Sequence, residues 1–314
     1  MFCNKCGNRM EDDAVFCAKC GNRPGQEQTN TPTPQPPQVQ SVKRKKKMSM
    51  AAIMAAVIVV VIIAGVFIWQ KSPGGGLIVG GLIDGDYTDT YAGDMVYVKG
   101  GTFTMGCTPE QGNDCEYDEK PTHQVTLDDF YIGKYEVKQA QWQAVMGNNP
   151  SFFKGDNLPV ESVSWNDAQE FIRKLNEMTG KNYRLPIEAE WEYAARGGGK
   201  SNGYKYSGSN DIGSVAWFSD NSDGRTHPVG TKNANELGIN DMSGNVLEWM
   251  QDLLGEYSGN LQVNPTGPTK GSNRVRRGGR WGDIARFARV SSRGDNGPDL
   301  HVNFLGFRLA RSSK

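Results

Sequence analysis

Four of the six cysteines stand as two pairs, Cys3-x2-Cys6 and Cys17-x2-Cys20, separated by ten residues. Each pair sits in nearly the same phrase, Cys-Asn-Lys-Cys-Gly-Asn-Arg and Cys-Ala-Lys-Cys-Gly-Asn-Arg. Four thiolates at this spacing suit one tetrahedral Zn2+ ion. Gly7 and Gly21 follow the second Cys of each pair, where backbone amides must turn toward sulfur. Residues 1–24 are too few to bury a useful core, so metal binding would supply their folding free energy. Two disulfides, or a redox Cys-x-x-Cys, are the competing uses, and the duplicated phrase favours a structural metal. The other two cysteines, Cys107 and Cys115, could close a small disulfide. His123, His227 and His301 are far apart in the chain and offer no His-x3-His iron site. No P-loop or Ser-elbow motif is present. Acidic residues are spread along the chain, so no acid–base pair can be assigned. The residues themselves therefore assign no catalytic group.

The elements that must position these groups fall into unlike segments. The chain has 314 residues, 35 basic and 35 acidic, with 37% hydrophobic residues. Its mean hydropathy of −0.58 excludes a multi-span membrane protein. Seven Trp, 11 Tyr and 12 Phe exclude a wholly disordered one. The zero net charge is a sum of parts: residues 1–47 carry +5, residues 48–93 carry −2 and residues 94–314 carry −3. Met48 to Gln70 is a run of 23 residues without a charge, long enough as a helix to cross a hydrocarbon core of roughly 30 Å. Lys43-Arg44-Lys45-Lys46-Lys47 precedes it and Lys71 alone follows closely, which puts the N-terminus in the cytoplasm and the C-terminal part outside. The run starts too late for a cleaved signal peptide. The expectation is a single-pass cell-membrane protein. Beside a span the basic cluster reads as a topology signal, so no nucleic-acid partner is expected. Pro24 to Gln40 holds five Pro among polar residues and reads as extended linker. The divisions are a zinc ribbon (1–24), a Pro/Gln-rich and basic linker (25–47), the span (48–70), a Gly/Asp-rich linker (71–93) and an outer domain (94–314).

Within the outer domain, Met95–Val98 and Thr102–Met105 around Lys-Gly-Gly predict a β-hairpin. Gln124–Leu127 and Phe130–Ile132 predict short strands. Lys138–Met146 has helical spacing with a Gly147 stop. Ser164-Trp-Asn-Asp opens a second helix, with Ala168, Phe171, Ile172 and Leu175 as its apolar stripe. Leu185–Gly197 predicts a third, with Pro in its first turn. Gly/Asn/Ser-rich loops with scattered Trp follow. The class is α+β with much irregular structure.

The N-terminal segment resembles the short zinc-ribbon domains of many membrane proteins, whose cytoplasmic partner here is unknown. The outer domain resembles the formylglycine-generating enzyme (sulfatase-modifying factor) family. The resemblance rests on Gly100-Gly-Thr-Phe-Thr-Met-Gly, Pro159-Val-Glu-Ser-Val-Ser-Trp, Leu185–Gly197, Gly244-Asn-Val-Leu-Glu-Trp249, Arg277-Gly-Gly and Gly306-Phe-Arg308, in family order. It implies a C-type-lectin-like fold braced by calcium. The implied ligands are the side chains of Asp241 and Glu248 with the carbonyls of Gly244 and Val246, hard oxygens from a tight turn. The two family cysteines that bind copper and activate O2 would fall at Asp283 and Ala288. Neither is a thiol, and soft Cu(I) requires thiolate-type ligands. The resemblance therefore implies the fold without the oxidase chemistry.

Residues 270–314 hold eleven basic and three acidic side chains. A framework of Arg277-Gly-Gly-x-Trp281, Ala285-Arg286, Arg289-Val-Ser291, Arg293, Pro298-Asp299 and Gly306-Phe-Arg-Leu309 is interspersed with other residues. That spacing resembles the variable region of diversity-generating retroelement targets, which display changeable binding sites on the same fold. The expected ligand-binding residues are Trp281, Asp283, Ile284, Phe287, Asp295, Asn296, His301, Asn303 and Phe304, facing a protein or glycan outside the membrane. Alternative expectations are a divergent formylglycine-generating or non-haem-iron oxidoreductase, and a transmembrane signalling scaffold.

Overall fold

A computed structural model describes residues 85–313, all within one compact unit, Ser72–Lys314. The paired cysteines Cys3, Cys6, Cys17 and Cys20, the Pro-rich linker and the apolar run 48–70 lie outside the described residues. Among the described residues no helix is long and apolar enough to cross a membrane.

Three small sheets organise this unit. In chain order the strands are β1 Tyr87–Asp89, β2 Gly93–Val98, β3 Gly101–Met105, β4 His123–Leu127, β5 Phe130–Gly133, β6 Tyr183–Arg184, β7 Leu247–Leu253, β8 Gln262–Val263, β9 Arg274–Arg277, β10 Arg293–Asn296, β11 Leu305–Gly306 and β12 Ala310–Ser312. The sheets run β1-β2-β5-β12-β6, β10-β9-β7-β11 and β3-β4-β8. Strand β12, at the end of the chain, lies antiparallel between β5 and β6, with Ala310 opposite both Ile132 and Arg184. The first sheet thus joins both ends of the domain.

The expected hairpin does not form. β2 pairs with β1 and β5, whereas β3 pairs with β4. Gly100 explains the divergence: a Cβ there would meet the Leu127 carbonyl oxygen at 2.2 Å, because the link crosses tightly over β4 into a different sheet. Strand β1 also extends the sheet upstream of Asp94, into the stretch read as linker.

The helices α1 Gln139–Met146, α2 Trp165–Thr179 and α3 Glu188–Ala195 fall where expected, followed by a short α4 at Ile212–Val215. Helix α2 shows why. Ser164 Oγ accepts the Asp167 amide, Asp167 returns the bond, and Gly180 ends the helix at φ 68°. Its buried residues are Ala168, Phe171, Ile172 and Leu175, the expected stripe. Helix α3 is shorter than expected, beginning at Glu188 after Pro186 and Ile187. All eight of its residues are buried. It therefore has no solvent face, and its three glutamates need buried cationic partners. Strand β7, inside a stretch read as loop, is the centre of the second sheet and carries Trp249 at 0% exposure.

Candidate ligand-binding site

Strands β9 and β10 lie antiparallel, with Arg277 opposite Arg293 and Arg276 opposite Gly294. The chain between them, residues 278–292, builds a surface loop on buried arginines. Arg277 is fully buried, binding Glu188 through Nε at 2.9 Å and Glu192 through Nη2 at 2.5 Å. Arg293 takes the other oxygen of Glu188 at 2.6 Å. These pairs supply the partners of Glu188 and Glu192, Arg184 supplies that of Glu190 at 2.6 Å, and the neighbouring arginines hold Glu188 below the usual carboxylate range despite its burial. Arg289, also fully buried, grips both oxygens of Glu119 at 2.8 and 2.5 Å, and Ser291 Oγ donates to the same carboxylate. Glu119 follows shortly after the loop closed by the Cys107–Cys115 disulfide, so that expected bridge is present, with Cys115 Sγ 3.6 Å from Arg289 Nη1.

Above this base the loop is held by its backbone. The Trp281 amide donates to Asn245 O at 2.8 Å, and Ser222 Oγ donates to Trp281 O at 2.7 Å. Arg280 Nε reaches Asp283 Oδ1 at 2.8 Å while its guanidinium lies 3.7 Å over the Phe304 ring. A cavity of about 250 Å3 opens between Arg276, Arg280, Asp283, Phe287, Asn296 and Phe304. Ile284 and Phe287 stand out of the loop at 55% and 39% exposure.

The structure thus brings Asp283, Phe287, Asn296 and Phe304 to one cavity and exposes Ile284 nearby in the chain. It does not bring all nine expected residues there. Trp281 packs edge-on against Phe153 and donates its indole N–H to Asn303 O, so both serve as scaffold. Asp295 accepts from Asn273. His301 bonds Asp167 at 2.6 Å, at the start of α2. Sequence reasoning missed Arg276, whose side chain lines the cavity; the excess of basic residues in 270–314 was the available signal. The framework residues Arg277, Arg289 and Arg308 are buried, whereas the interspersed ones, apart from Ala288, Ser292 and Leu305, retain some exposure.

Asp283 and Ala288 differ in setting. Asp283 faces the cavity in its pair with Arg280, while Ala288 is fully buried. Neither of the other histidines comes near a metal-binding arrangement. His123 is buried with Nδ1 at Pro121 O, and His227 stacks on Trp217 at 3.8 Å.

The turn Asp241–Glu248 is buried and tightly wound, with Asp241, Gly244 and Asn245 at φ 59°, 84° and 61°. Glu248 is fully buried, with Oε1 and Oε2 each 2.7 Å from Arg308 and Oε2 also accepting the Trp191 N–H at 2.8 Å. Asp241 Oδ2 accepts the Gly230 amide at 2.6 Å. A third buried carboxylate, Glu136, caps the turn through Val246 N and Asn245 Nδ2. Burial drives Asp241 up to about 6, and burial with its acidic neighbours raises Glu136 well above the ordinary carboxylate range. Three carboxylates thus face one guanidinium. Asp241 and Glu248 with the Gly244 and Val246 carbonyls offer hard oxygens of the kind a divalent cation takes, but Glu248 already serves Arg308, and the three carboxylates do not gather into one metal-binding cluster among the described residues.

A family model for the sulfatase-modifying factor enzyme 1-like domain matches residues 84–313. A zinc-ribbon domain model matches residues 2–23. The chain is similar to chaperone protein LppX of Paenibacillus barcinonensis, 36% identical over 278 residues, covering 71% of this chain and 91% of that one. It is similar to the formylglycine-generating enzyme of Mus musculus, 29% identical over 69% of this chain and 74% of the enzyme. Among solved structures, Treponema denticola variable protein 1 aligns with a TM-score of 0.66 at 31% identity, over 72% of this chain and 99% of that one.

Proposed function

The chain belongs to the sulfatase-modifying factor enzyme 1-like family, and from that premise we propose that its outer domain is a binding member that recognises a protein ligand at the 278–304 surface. The observation that carries this reading is the pair of positions where the resemblance implies copper-binding cysteines. Asp283 there is tied to Arg280, Ala288 is buried, and the domain's two cysteines are joined to each other. What the loop offers instead is a cavity with an apolar rim on a base of interlocked arginines and glutamates, the rigid kind of surface that binds at low entropic cost. The relative named a chaperone protein favours a protein over a glycan as the ligand. Diversification of the interspersed residues belongs to the same reading. A calcium ion held by Asp241, Glu248 and the Gly244 and Val246 carbonyls would brace the site from below. The charge-free run 48–70 behind Lys43–Lys47 supports a single-span anchor with a zinc-bearing head at Cys3, Cys6, Cys17 and Cys20 on the cytoplasmic side. The second reading, a divergent oxidoreductase, is favoured by the likeness to formylglycine-generating enzyme.

The test replaces Ile284 and Phe287 with Ala in the full chain and displays wild type and variant on cells. Crosslinking to extracytoplasmic proteins is expected to give a discrete partner with wild type and to lose it with the variant at unchanged thermal stability. Retention of the same partner by the variant would remove this surface from the function.

A further inference from the structure

One guanidinium at the cavity is left without a direct ion pair by the walls around it. Arg277 and Arg293 share the carboxylates of Glu188 and Glu192. Arg280 has Asp283. Arg276 has no ion pair among the described residues. Its hydrogen bond is a long one, from Nε to the backbone carbonyl of Asp295 at 3.4 Å. The Asp295 carboxylate, which would be the natural partner, accepts from Asn273 instead. Burial nonetheless withdraws this guanidinium from water and pushes its pKa down. Asp283 and Asp295 lie near enough to favour its charge, yet neither carboxylate pairs with it directly, so the fork keeps room for a further partner.

The backbone makes room for this arrangement. Gly294 stands opposite Arg276 in the ladder, and a Cβ there would lie 3.1 Å from the guanidinium carbon. With no side chain at 294, the fork lies flat along β10 at the edge of the cavity. Ser292 and Asn296 line the same space.

We propose that Arg276 is the anchor for an acidic side chain of a peptide ligand, whose carboxylate docks on the guanidinium fork inside the cavity. This rests on the binding reading above and names the chemistry it selects. A planar fork matches a carboxylate in a two-point, charge-assisted contact. The volume of about 250 Å3 admits a side chain rather than a folded element. Ile284 and Phe287, both exposed on the same loop, favour a ligand with apolar residues near the acid, as a peptide has and a sulfated sugar lacks.

The test selects random heptapeptides on the full chain. Selected peptides are expected to be enriched in Asp or Glu at one position. Changing that acid to its amide should weaken binding by about tenfold or more, the usual scale for a charge-assisted contact. Arg276→Gln should lose the acid preference, and Arg276→Lys should recover only part of it, at matched melting temperatures. Selection without acid enrichment, no selection at all, or the same peptides on Arg276→Gln would overturn the proposal. A sulfated disaccharide that competes more strongly than the peptides through Arg276 would overturn the assignment to a peptide. Peptides sensitive to Ile284→Ala/Phe287→Ala but not to Arg276→Gln would sink the acid anchor and leave the binding surface standing. Peptides insensitive to both would sink the binding surface as well.

Discussion

Replacing Arg289 with Met removes the most enclosed link between the disulfide loop and the binding loop. Arg289 and Glu119 are both at 0% exposure. The arginine donates to Glu119 at 2.8 and 2.5 Å, to Asp114 O at 2.9 Å and to Arg286 O at 2.7 Å. In the variant Glu119 keeps the Ser291 hydroxyl and the Glu116 amide but loses its only bidentate cation. Breaking one side of a buried pair costs about 3–5 kcal/mol, a large share of the roughly 5–15 kcal/mol that holds a domain folded. For a domain of this size each kcal/mol lowers the melting temperature by about 2–4 °C, so the fall should be on the order of 10 °C. Thermal unfolding followed by Trp fluorescence measures it, and urea unfolding gives the loss in free energy. Adding Glu119→Gln to Arg289→Met removes the stranded charge and should recover more than half of the loss. An Arg289→Met protein as stable as wild type, or a double variant no better than the single, would refute the reasoning.

Two further outcomes follow from buried carboxylates. Asp252 is driven up to about 8, first by burial and then by Glu188, so it is protonated in the folded state at neutral pH. The unfolded chain ionises it from about pH 4 upward, so this group's contribution to stability is full below that pH and is lost as pH rises from about 4 to about 8. Asp252→Asn should flatten that slope by a few kcal/mol in urea titrations across the window; an unchanged slope removes Asp252 as its source. At the Asp241–Glu248 turn, added calcium should raise the melting temperature of wild type, and Asp241→Ala should abolish the gain. No gain in wild type would leave Arg308 as the only charge opposing the three carboxylates.

Local periodic signals were legible in the sequence. Helix α2 could be read because its stripe, its Ser164 cap and its Gly180 stop all act within a few residues. Helix α3 was harder to place, because a helix buried on every face has no polar side to mark its ends. The pairing of β2 with β5 rather than β3 could not be read, since both alternatives satisfy the same alternation and only the tight crossing at Gly100 decides. At the site, Asp283, Phe287 and Asn296 were legible from the chain segment that holds them. Arg276 was not, because its role depends on Asp295 turning toward Asn273 and on the bare backbone of Gly294. Glu119 and Glu136 were missed for a related reason: their partners Arg289 and Val246 lie more than a hundred residues away.

The central claim, recognition without the family's oxidation, is tested most directly by oxygen consumption. The full chain would be supplied with copper(I), a reductant and a cysteine-containing sulfatase peptide. The structure predicts no oxygen uptake above the protein-free rate and no aldehyde on the peptide, because Asp283 and Ala288 supply no thiolate. Sustained oxygen uptake with conversion of the peptide cysteine to formylglycine would contradict it.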